Sequence, residues 1–153
     1  MKKYKKPQRY IHYGSKEFNM SHMYPPRENF PTKPSSGLWA SRVDEKFGWK
    51  EWCESEDFRT DTLDKFFTFQ LSPSAKVLTV KSHKDIDPYL VQNPFSHLYR
   101  DINFDRIMSE YDAMELIMDF NYTDLSFIFY LWDVNSIVVF NLDKVTKVRS
   151  NSY

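Results

Sequence analysis

Only one of the 153 residues, Cys53, is a cysteine, which excludes an intrachain disulfide framework and a cysteine-based zinc site and fits a reducing compartment. No net charge remains once 21 basic residues are set against 21 acidic ones, so no overall field draws the chain to nucleic acid or to a membrane surface. Long hydrophobic runs are missing as well. The most apolar segments, 125–132 and 136–140, fall well short of the roughly 20 residues that span a bilayer. The basic start Met1-Lys2-Lys3-Tyr4-Lys5-Lys6 leads into no apolar stretch and does not read as a secretory signal. Together these absences predict a cytoplasmic protein built around one core.

Glycine is scarcer still in proportion: Gly14, Gly37 and Gly48 are the only three, and all lie within residues 10–52. Two of them sit in polar-aromatic runs, His12-Tyr13-Gly14-Ser15 and Ser36-Gly37-Leu38-Trp39-Ala40-Ser41. A chain so sparing of glycine keeps it where a turn is sharp or something approaches the backbone closely. Two such strands side by side would line a slot for a flat, amide-bearing ligand. Aromatic residues, by contrast, are abundant at 18%. Most must fill the core, because rings carry the largest burial energy per residue, and a stacking surface is the other use for them.

Along the chain, residues 1–9 read as a basic flexible arm and 10–153 as a single domain. Strands are predicted at 10–15, 37–41, 66–71, 75–80, 113–118, 136–140 and 145–148. Helices are predicted at 45–55 with Asp44 as cap, at 104–111 with Asn103 as cap, and at 124–131. Pro25, Pro26, Pro31 and Pro34 leave 19–36 as a loop, and Pro88 and Pro94 limit any helix in 85–98 to one or two turns. The fold class is therefore α+β, rich in strand.

Glu115 is the foremost candidate for chemistry. It stands in the apolar run Ala113-Met114-Glu115-Leu116-Ile117-Met118, where a carboxylate is paired, hydrogen-bonded or facing a cleft unless the strand turns it to water. Glu110 or Asp112 takes its place if the strand register slips. His12 and Gly14 share one face of an extended chain. The imidazole there either meets a ligand hydroxyl or bonds a neighbouring carbonyl. Trp39 stacks on a ring or joins the core, while Ser15 and Ser41 bind a ligand or form turns. Arg9, Lys33 and Arg42 lie near the slot in sequence and would meet a pyrophosphate, or are plain surface charge. The histidines show no metal-ligand spacing, so no metal is expected. Neither a phosphate-binding glycine loop nor a Gly-x-Ser-x-Gly elbow occurs.

Taken in order, His12-Tyr13-Gly14-Ser15, Gly37-Leu38-Trp39-Ala40-Ser41 and Glu115 resemble the motifs of the ADP-ribosyltransferase fold, in the branch of diphtheria toxin and the poly-ADP-ribose polymerases. The segment Trp132-Asp133-Val134-Asn135-Ser136-Ile137-Val138-Val139-Phe140-Asn141 also looks like the closing strand of small bacterial and phage domains of that type. Two departures stand out: Tyr13 separates the histidine from the glycine, and the second-strand aromatic is Trp39 rather than tyrosine.

The resemblance implies a split β-sheet core with a few short helices over residues 10–149, and NAD as substrate. Glu115 would stabilise the oxocarbenium-like transition state as nicotinamide leaves and would bond the ribose 2′-hydroxyl. Gly14 would hold the carboxamide, Tyr13 or Trp39 would stack on the ring, and His12 would fix the adenine-side ribose. The implied function is NAD-dependent mono-ADP-ribosyl transfer to a macromolecular acceptor, a protein foremost. The alternative is a non-catalytic binding or inhibitor protein on the same fold, encoded by a phage or other mobile element. An RNA 2′-phosphotransferase would need an arginine set that is not evident in this sequence.

Overall fold

The computed structural model describes residues 6–19, 33, 34, 37–98, 100–118, 125, 128, 129 and 131–151. They form one α+β domain around a mixed sheet. Its strands are β1 (Tyr10–Tyr13), β2 (Leu38–Arg42), β3 (Phe66–Leu71), β4 (Val77–Val80), β7 (Ala113–Leu116), β8 (Ser136–Val139) and β9 (Val145–Ser150). In space they run β4-β7-β8-β2-β1-β3-β9, and β4–β7 is the parallel pair in this order. The crossover between those two strands carries the short helix α2 (His83–Ile86), a separate hairpin of β5 (Leu90–Gln92) and β6 (Arg100–Ile102), and helix α3 (Phe104–Glu110). Helix α1 (Trp49–Glu56) follows β2. No helix among the described residues is long and apolar enough to cross a membrane.

Register divides the sheet into two faces, because residues directly opposite each other on paired strands point the same way. On one face the pairs Leu38↔Val139↔Ala113, Ala40↔Ile137↔Glu115 and Arg42↔Tyr10↔Phe69 stand in rows. Tyr10, Leu38, Ala40, Phe67, Phe69, Ala113, Ile137, Val139 and Leu142 pack into a core there. The opposite face presents Trp39↔Val138↔Met114 and Ser136↔Leu116. That side packs against α2, α3 and Trp132 through Leu78, Val80, Ile86, Phe104 and Ile107. β7 lies between β4 and β8 and is buried along its whole length, which is why it reads as a nearly unbroken apolar run.

Most predicted elements are found, with revised ends. β4 begins at Val77 rather than 75, and β9 runs on to Ser150. Helix α3 carries the expected cap, Asn103 Oδ1 accepting the Arg106 N–H at 3.1 Å. Helix α1 departs from expectation, for it starts at Trp49 and Asp44 does not cap it. Asp44 instead accepts a 2.8 Å bond from Gln8. Gly48 occupies the cap, its N–H held by the Glu51 carboxylate at 3.0 Å, while the Ser41 hydroxyl accepts the Trp49 N–H at 3.2 Å. A Cβ at Gly48 would sit 3.2 Å from the Ser41 Cβ, so the close packing of α1 on β2 fixes where the helix starts.

The predicted helix at 124–131 and the loop at 19–36 fall largely outside the described residues, as do residues 1–5 of the arm. The arm's last residues are tied down rather than free. Arg9 Nη2 donates to Thr68 Oγ1 at 2.6 Å and to the Lys147 carbonyl at 3.1 Å. The β5–β6 hairpin was not anticipated, since its strands are only three residues long. Asn93 braces its base, donating to Asp101 at 3.0 Å and accepting from Phe95 N–H at 2.8 Å, and its tip leaves Phe95 96% exposed.

Candidate functional site

The β1–β2 ladder covers Tyr10↔Arg42 and Ile11↔Ser41, after which β1 continues with β3 through Tyr13↔Phe66 and a 2.7 Å bond from Gly14 N–H to the Lys65 carbonyl. Where the two strands part, His12 bridges the seam, its Nδ1 lying 2.6 Å from the Trp39 carbonyl oxygen. That carbonyl can only accept, so Nδ1 carries the proton. The ring also lies against Phe67 with centroids 5.1 Å apart. Burial lowers the His12 pKa, outweighing the bond to Trp39, so the imidazole is neutral near pH 7.

A cavity of about 250 Å³ opens at this seam, on the Trp39 side of the sheet. Ile11, His12, Tyr13, Trp39, Ala40 and Ser41 from β1 and β2 line it, with Trp49 from α1, Lys33, Arg59, and residues 131–134 and 136. Rings make up much of its wall. Trp39 meets Trp132 edge-on at 4.7 Å, and Trp49 is held by stacking on Trp52 at 5.1 Å with Phe58 set against both. Lys33 Nζ stands 5.1 Å from the Trp39 ring centre and Arg59 lies 5.3 Å from that of Phe58. Asp133 is the one carboxylate in the lining among the described residues. Tyr13 has its phenol pKa raised by burial and by the nearby Glu51 and Glu54, so it stays protonated and neutral.

The expected site residues do not all converge there. His12, Tyr13, Trp39 and Ser41 line the cavity, whereas Gly14, Ser15 and Glu115 do not. Ser41 is buried and its hydroxyl accepts the Trp49 N–H at the start of α1. Ser15 closes a local turn with Glu17. Gly14 has φ +106° and open space where a Cβ would be, so its backbone conformation, not a close neighbour, calls for glycine. Gly37 is the close approach: a Cβ there would come 2.5 Å from Val138 Cγ2, and φ is +135°.

Glu115 faces the other side of the sheet. It is 4% exposed and forms a two-point ion pair with Arg42, Nε to Oε2 at 2.7 Å and Nη2 to Oε1 at 3.0 Å. The Tyr10 hydroxyl adds a third bond at 3.3 Å. The bond to Glu115 raises the Arg42 pKa further, and burial followed by the Glu115 charge raises that of Tyr10. The cavity's lining thus includes neither Glu115 nor Gly14, and register puts Glu115, in the row Ala40↔Ile137↔Glu115, on the sheet face opposite to Trp39 and Ser136. The alternates are likewise committed. Glu110 accepts from Tyr89 at 2.9 Å and pairs with Arg106, and Asp112 accepts from Lys76 N–H at 2.8 Å and from Asn141 at 3.0 Å.

Of the basic residues expected near the slot, only Lys33 lines the cavity, since Arg9 and Arg42 are engaged elsewhere. Arg59 was missed. It lies in the left-handed region at φ 49°, two residues after Asp57 at φ 50°, and nothing in the local sequence marks an arginine for that conformation. For a residue with a Cβ this costs about 1–2 kcal/mol. Among the described residues no group of three or more His, Cys, Asp or Glu side chains could hold a metal. Compared with protein-family models, curated proteins and solved structures, the chain matches none.

Proposed function

We propose that this chain is a non-catalytic binding protein on an ADP-ribosyltransferase-like split sheet, holding the ring and ribose of NAD or a related nucleotide in the Trp39–Trp49–Trp132 cavity. Its biological action in this reading is to bind a macromolecular partner, as an inhibitor does, and not to transfer ADP-ribose. One observation carries the proposal: the cavity is walled by rings, yet the buried carboxylate that transfer would need is paired with Arg42 on the opposite face. Small-molecule sites typically measure about 300–1,000 Å³. A cavity of about 250 Å³ therefore takes one ring and its sugar, with the rest of a dinucleotide lying outside. The parting of β1 from β2 at His12 supports the split-sheet form.

The test is a titration of tryptophan fluorescence with NAD, followed by incubation with labelled NAD and a cell lysate. Quenching without release of nicotinamide is the expected result. Release of nicotinamide with covalent labelling, abolished in a folded Glu115→Gln variant, would overturn the proposal. The transferase reading keeps one foothold, Asp133, the carboxylate that does line the cavity. Were label transferred, Asp133→Asn is the variant expected to stop it.

A further inference from the structure

The cavity's charged lining is lopsided. Lys33 and Arg59 both line it, against the single carboxylate of Asp133. Among the described residues neither cation forms an ion pair, and each is instead set over an aromatic ring, Lys33 over Trp39 and Arg59 over Phe58. Arg42, by contrast, is saturated by Glu115, and Arg9 bonds Thr68 and the Lys147 carbonyl. Of these four basic residues, the two without an oxygen partner among the described residues are thus those at the cavity.

Arg59 also keeps a backbone conformation that glycine would adopt more easily, φ 49° and ψ 34° at the start of a 3-10 turn. An arginine at a disfavoured backbone position that lines a cavity and forms no ion pair among the described residues points to a use beyond folding. Near Tyr13 the field has the opposite sign, because Glu51 and Glu54 act on that phenol. An anionic group would therefore be turned away from the Tyr13 end and accepted at the Lys33 and Arg59 end.

Resting on the reading of this cavity as a nucleotide-ring site, we infer that Lys33 and Arg59 form a phosphate-selecting rim, so that the ligand is a nucleotide and not a nucleoside or free base. An ammonium and a guanidinium give a phosphate charge-assisted hydrogen bonds, and the guanidinium fork can engage two oxygens at once. The rings hold the base and ribose, and the cations read the phosphate.

The experiment measures dissociation constants by tryptophan fluorescence for two matched pairs, adenosine against AMP and nicotinamide riboside against nicotinamide mononucleotide. In the unmodified protein the monophosphate of at least one pair should bind about tenfold more tightly than its nucleoside. That preference should shrink as salt is raised. Arg59→Gln and Lys33→Gln should each cut the preference, read as the ratio of the nucleoside to the monophosphate dissociation constant, severalfold. Arg59→Gly should remove the preference yet keep or raise the melting temperature, a combination that a purely structural arginine would not give. If nucleosides bind but phosphate adds nothing, or if both variants retain the full preference, the inference fails and the ring-site reading stands. If none of the four compounds binds, both fall together.

Discussion

The two faces of the central strands differ by a single residue step. Tyr10, Arg42 and Glu115 look one way, and their neighbours Ile11, Ser41 and Leu116 look the other. On the first face Glu115 leaves water with partners in Arg42 and Tyr10, beside a closed core. On the second face rings line a cavity where the two strands part beyond Ile11 and Ser41, and two cations stand at it without ion pairs among the described residues. The same strands thus supply a closed core from one set of alternate residues and the wall of a cavity from the other. A buried carboxylate with all its bonds made is structure, whatever its chemical promise.

The largest effect that would test this contrast is Glu115→Ala. Breaking a buried ion pair from one side costs about 3–5 kcal/mol, and with Arg42 still 35% exposed the lower end applies. Urea denaturation should show a loss of about 3 kcal/mol, with ligand affinity on the opposite face unchanged in the protein that remains folded. A variant as stable as the parent but unable to bind would break the comparison outright.

Glycine substitutions come next. Gly37→Ala should cost about 2 kcal/mol, because the new methyl would meet Val138 and the backbone disfavours any side chain. Gly14→Ala, with open space around it, should cost only the backbone share, about 1 kcal/mol. Equal midpoints for the two in denaturant would remove the distinction between close approach and turn. Trp49→Ala addresses the open face: nucleotide affinity should fall about fivefold, while the denaturation midpoint should move less than in Glu115→Ala.

The smallest effect concerns pH. Asp112, at the end of β7, has its pKa lowered by the Lys76 N–H and by Asn141. A carboxylate depressed in the folded state binds protons more readily when unfolded, where its pKa is about 3.9. Its contribution is therefore complete above about pH 4 and disappears as pH falls through the lower, folded value. Melting curves between pH 2 and 6 should show an acid limb that Asp112→Asn flattens.

Much of the strand framework was legible because apolar and β-branched runs such as Ser136-Ile137-Val138-Val139 admit few other conformations. The convergence of two strands was legible too, since His12, Tyr13, Trp39 and Ser41 do line one cavity. What could not be read was side. Whether Glu115 faces the cavity depends on cross-strand register, and one residue's difference reverses the answer. Asp44 looked like a helix cap from its type and position, but the contact between Gly48 and Ser41 delays the helix to Trp49. Arg59 reaches the cavity through a left-handed turn that propensity assigns to glycine, and Trp49 reaches it through the placement of α1 against β2.

The β5–β6 hairpin offers an experimental handle. Its outermost described ring, Phe95, stands almost wholly in solvent on a loop braced from below by Asn93, and no described residue of the loop belongs to either sheet core or lines the cavity. A dye or biotin attached at Ser96 would leave both the core and the cavity untouched, which makes that position the natural tether for testing whether a macromolecule binds this domain.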